Sequence, residues 1–72
     1  MKAERIIEII QEEFESYEGE ITEDTDILED LDADSVDIVS LIMALEDEFD
    51  MEFDDDDINK IRTVEDIIKY LA

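Results

Sequence analysis

The chain has 72 residues, enough for one domain with a minimal core and too few for a separate catalytic domain or a deep substrate pocket. Its 26 acidic and 5 basic residues give a formal net charge of -21, which repels nucleic acid and anionic membranes and calls for partners with basic patches. Cysteine and histidine are both absent, which excludes a disulfide framework, a thiolate zinc site and the usual general base.

So much charge on a short chain favours disorder, but the apolar content of 44% falls in ordered periods and predicts a fold. Residues 2–17 read as a first helix, with Ala3, Ile6, Ile7, Ile10, Phe14 and Tyr17 on one face. Glu18 and Gly19, the only glycine, end it. Residues 18–34 form a long acidic connection. Ile21, Ile27, Leu28 and Leu31 are spaced too irregularly for a long helix and are expected to anchor the connection to the core, with a short turn over Asp26 to Leu31. A loop this long in a compact domain is usually disordered or functional.

Residues 35–50 read as the second helix, with Asp34 as N-cap and Asp37 at capping-box spacing. Asp54 to Asp57 announce a short third helix near 55–61. Thr63, Glu65 and Asp66 start a fourth, whose apolar face is Val64, Ile67, Ile68 and Leu71, with Lys69 in its last turn. There is no proline, no repeat and no strand-like alternation. The expected fold is all-α: a four-helix bundle with three main helices, one short helix and a long loop between the first and second helices. Residues 1–72 are expected to form a single domain.

The second helix carries two apolar stripes. At about 100° per residue, Ile38, Leu41, Ile42, Leu45 and Phe49 cluster on one face and suffice for a core. Val36, Val39 and Met43 fall on a separate arc bordered by Ser40, Glu46 and Asp47. An exposed stripe with a charged rim suits a transient docking surface. Ser35 stands where this helix begins, near the positive end of its dipole, a favourable place for a phosphate ester. Asp34-Ser35 alone is also what any helix uses to cap its first turn.

The joint pattern resembles the acyl carrier proteins of bacterial fatty-acid synthesis. The match runs through Leu28-Glu29-Asp30-Leu31, Ala33-Asp34-Ser35-Val36-Asp37, the stretch from Leu41 to Phe49, Ile61-Arg62-Thr63-Val64 and Ile67 to Leu71. The resemblance implies a carrier, not an enzyme, with 4′-phosphopantetheine esterified to Ser35 and acyl chains held as thioesters on its thiol. It implies that Asp34 and Asp37 flank the attachment site. Val36, Val39, Met43, Glu46 and Asp47 would form the partner-recognition helix, and Phe53 and Ile61 would line the acyl pocket. The implied partners are a phosphopantetheinyl transferase and acyl-processing enzymes with basic patches. Four positions depart from the family pattern: Asp32 replaces a usual glycine, Val36 a leucine and Ser40 a glutamate, and no proline follows Phe53.

The main alternative is a carrier for a specialised pathway, loading polyketide, aminoacyl or other acyl units. A divalent-cation-binding module is a further one. Asp55, Asp57, Asn59 and Asp66 fall at calcium-loop positions, but Lys60 stands where that loop needs glycine, so no metal site is expected. The longest apolar runs are far below membrane-spanning length and the N-terminus lacks a signal-peptide pattern. A cytoplasmic monomer is expected.

Overall fold

The computed structural model describes residues 2–71. Its helices are α1 (Lys2–Glu13), α2 (Ser35–Phe49), α3 (Asp55–Ile58) and α4 (Val64–Leu71). Among the described residues no strand forms, and the one extended pairing is an isolated bridge between Asp26 and Thr63. This is the expected all-α arrangement. α1 packs against both α2 and α4. Ile6 and Ile10 of α1, Leu41 and Leu45 of α2, and Val64 and Ile67 of α4 are fully buried between them. The Arg5 guanidinium adds a polar tie across the α1–α2 contact, donating to Glu48 Oε1 at 2.9 Å.

α1 is shorter than its apolar period suggests. It has no basic residue in its last turn, where Glu12 and Glu13 face the negative end of the dipole. Beyond it the chain winds into a turn closed by Tyr17 N–H on the Phe14 carbonyl at 3.0 Å. The Tyr17 ring then lies over Gly19 so closely that a Cβ there would collide with it. A larger residue at position 19 would have to push the Tyr17 ring aside. Ile9 is buried as well as Ile6 and Ile10. The run of Ile6, Ile7, Ile9 and Ile10 leaves its facing to be set by tertiary packing.

The long connection is ordered by its own carboxylates and by the α3–α4 junction. Asp26 Oδ1 accepts Leu28 N–H and Glu29 N–H, both at 2.9 Å, and Asp30 Oδ2 accepts Asp26 N–H at 2.8 Å. This builds the short turn expected over Asp26 to Leu31. Ile21, Ile27 and Leu31 are buried. Leu28 is not an anchor: it is exposed, two residues past the bridge at Asp26, and faces the start of α2. Ile27 N–H bonds the Arg62 carbonyl at 2.7 Å, and Val64 N–H and Glu65 N–H bond the carbonyls of Thr25 and Glu23 at 3.1 and 2.9 Å. α4 starts on a capping box of its own, with Thr63 Oγ1 accepting Asp66 N–H and Asp66 Oδ2 accepting Thr63 N–H.

Candidate functional site

The start of α2 is fixed by a reciprocal capping box. Asp34 Oδ1 accepts Asp37 N–H at 3.0 Å, and Asp37 Oδ2 accepts Asp34 N–H at 3.3 Å. Each carboxylate thus holds one backbone donor and keeps its second oxygen outside the box. Ser35 is the first helical residue, and its side chain is exposed. The N–H groups of Ser35 and Val36, in the first turn, have no intrahelical partner. The entry to this turn passes through Asp32 at φ 53, in the left-handed region. That is a conformation glycine adopts freely and aspartate tolerates better than most residues. The substitution at position 32 therefore leaves a glycine-like backbone in place.

Beside Ser35 lies a groove of about 330 Å³, lined by Leu28, Ser35, Ile38, Val39, Ile58, Asn59 and Ile61. One wall comes from α2, the opposite wall from α3 and the turn after it, and Leu28 closes one side from the long connection. Its surroundings are mainly apolar, with exposed Ser35 among its lining residues. Leu28, read from sequence as a core anchor, belongs here, as does Ile61. Phe53 does not line this groove. It is buried, and its ring stacks on Tyr70 with centroids 4.7 Å apart and 17° between planes.

Val36, Val39 and Met43 are 69%, 55% and 60% exposed, so no neighbouring helix covers the second stripe of α2. Asp47 is exposed beside them, but Glu46 is half-buried and turned elsewhere: its Oε2 accepts Phe53 N–H at 2.8 Å. α2 has no basic residue in its last turn. Among the described residues only Arg5, reaching from α1 to Glu48, relieves the acids there.

The carboxyl groups with displaced pKa values lie away from Ser35, and all move down. Asp26 is lowered first by the Glu29 N–H bond and then by Arg62. Glu48 is lowered by its bond from Arg5, and Asp66 by the N–H groups of Arg62 and Thr63. The calcium-loop reading does not survive the geometry. Asp55 and Asp57 lie in α3, Asn59 is its helical C-cap, and Asp66 caps α4. Among the described residues no group of three or more acidic side chains is arranged to hold a metal ion.

Residues 4–71 match the family model for the phosphopantetheine attachment site. The chain belongs to that family. A candidate acyl carrier protein from Mycobacterium tuberculosis superposes with a TM-score of 0.87 at 33% identity, over 96% of this chain and 92% of that one. The chain is thus an acyl carrier and not an enzyme, and its family's prosthetic group is covalent 4′-phosphopantetheine. The site fits such a group. A phosphodiester needs an exposed hydroxyl and tolerates one negative charge near unpartnered N–H groups at a helix start. An apolar groove reached from that hydroxyl matches what an acyl thioester would bring. Carriers of this family meet a phosphopantetheinyl transferase and acyl-processing enzymes. Among the described residues no helix is long and apolar enough to cross a membrane.

Proposed function

We propose that Ser35 is the attachment residue and that the chain, working as a single domain, presents acyl thioesters to the enzymes of fatty-acid biosynthesis. The observation that carries this reading is exposed Ser35, the first residue of α2, among the lining residues of the apolar groove. The arm supplies the thiol that this chain lacks. Asp34 and Asp37 hold the first turn of α2 rigid, and their remaining oxygens are available to cations of the transferase. Leu28, Ile38, Val39, Ile58 and Ile61 shelter the apolar chain from water.

Docking uses the exposed face of α2. Val36, Val39 and Met43 form its apolar centre and Asp47 its rim, and the acids in the last turn of α2, which holds no basic residue, favour an enzyme with a basic patch. The protein acts as a cytoplasmic monomer. A carrier for a specialised pathway is the second reading, supported by Ser40, exposed on this same face where the resembling carriers commonly bear a charge.

Intact mass after incubation with coenzyme A and a phosphopantetheinyl transferase tests the attachment. The wild type is expected to gain one arm and Ser35→Ala none; an arm on the alanine variant refutes the assignment. Offering the arm-bearing protein to a fatty-acid ketosynthase and to a polyketide ketosynthase in parallel separates the two pathway readings.

A further inference from the structure

α3 is four residues long and buries none of them. Yet Ile58, Asn59 and Ile61, at its end and just beyond, form one wall of the groove beside Ser35. That wall is held from outside α3. The connection from α2 hangs largely on one residue, Glu46. Its carbonyl accepts Asp50 N–H and, at 3.2 Å, Met51 N–H, and its carboxylate accepts Phe53 N–H at 2.8 Å. The next residue, Asp54, donates its N–H to the Tyr70 hydroxyl at 3.3 Å, and the Tyr70 ring stacks on Phe53. The two residues before α3 are therefore pinned, one by Glu46 and the other by Tyr70. The Phe53 bond is half-buried and charge-assisted, which places it among the stronger kinds of hydrogen bond.

We infer that Glu46 is a positioning residue for the groove: by holding Phe53 N–H it sets α3, and so the Ile58–Ile61 wall, against Ser35. This rests on reading the groove as the seat of the acyl chain. It moves Glu46 from the rim of the docking face, where its place in the sequence puts it, to the support of the cargo site. A glutamine at position 46 keeps an oxygen acceptor without the charge; an alanine keeps neither.

The test uses arm-bearing wild type, Glu46→Gln and Glu46→Ala, each with and without an octanoyl chain on the thiol. Amide hydrogen exchange of Phe53 reads the bond, and NMR shift changes at Ile58, Asn59 and Ile61 on loading read the wall. Glu46→Gln is expected to keep Phe53 exchange within about threefold of wild type and to retain the wall shifts, whereas Glu46→Ala is expected to exchange about tenfold faster and to lose them. The amide of Leu45 serves as the internal standard for the rest of α2. If Glu46→Ala does not fold, Glu46→Met, which keeps the chain length but offers no oxygen, takes its place. Wild-type exchange at Phe53 in the alanine or methionine variant overturns the inference, as does a glutamine variant as loose as the alanine one. Absence of wall shifts in loaded wild type refutes the groove reading, while the exchange comparison still judges the Glu46–Phe53 tie.

Discussion

Met43 and Leu45 stand two residues apart on one helix, and truncating each to alanine should produce opposite results. Leu45 is 0% exposed in the core between α1, α2 and α4. Leu45→Ala removes fully buried carbon and leaves a cavity, at a cost of about 2–5 kcal/mol. A chain of this size has a total stability of only about 4–10 kcal/mol, so the variant should be largely destabilised. Met43 is 60% exposed. Full burial of a methionine is worth about 1.5–3 kcal/mol, so the minority of it that is covered is worth about 1 kcal/mol or less. Alanine's better helix propensity returns a little of that. Urea unfolding followed by far-ultraviolet circular dichroism, at fixed magnesium concentration, measures both costs. On the binding side, Met43→Ala should lower kcat/KM of the phosphopantetheinyl transferase by about tenfold, as for an apolar centre whose loss costs more than 1 kcal/mol. Equal loss of stability in the two variants would make the second stripe core and sink the docking reading.

Two further expectations concern stability. Asp50 ends α2 at φ 50 in the left-handed region, with its carboxylate at the negative end of the helix dipole. Asp50→Gly should therefore stabilise by about 1 kcal/mol, raising the melting temperature by about 4–8 °C; Asp50→Asn isolates the charge contribution, and a glycine variant below wild type would contradict the reasoning. Because the folded pKa values of Asp26, Glu48 and Asp66 lie below their unfolded ones, their contribution is complete above the unfolded value and is lost as pH falls through the folded one. The melting temperature should thus fall below about pH 4, and Asp26→Asn should flatten that acid limb; an unchanged limb would remove Asp26 from the account.

What could be read from the sequence was whatever local periodicity and capping determine. The Asp34–Asp37 and Thr63–Asp66 boxes are each set within about one helical turn, the two stripes of α2 repeat from turn to turn, and all are found in the structure. Helix length was less legible. The period of α1 continues through Phe14 and Tyr17, while the chain leaves the helix after Glu13, where acids crowd its end. Leu28 has the same composition signal as Ile27, and only the turn around Asp26 decides which of the two is buried and which faces the groove. The tie from Glu46 to Phe53 and the stack of Phe53 on Tyr70 were invisible, because they join residues across irregular chain with no spacing rule. Asp32 is an instructive intermediate. It stands where the resembling carriers usually have glycine, and its backbone takes the left-handed conformation that glycine adopts freely.

The connection before Ser35 takes its shape from the far end of the chain. Its backbone bonds run to Arg62, Val64 and Glu65, and Arg62 also pairs with Asp26 and Glu29. Closing a loop of about half the chain is entropically slow, and it brings no reward until both ends exist. During synthesis α1 and α2 can leave the ribosome while the segment that shapes the approach to Ser35 is still unmade. An enzyme that recognises this folded approach therefore depends on α4, whose first turn supplies bonds that shape it.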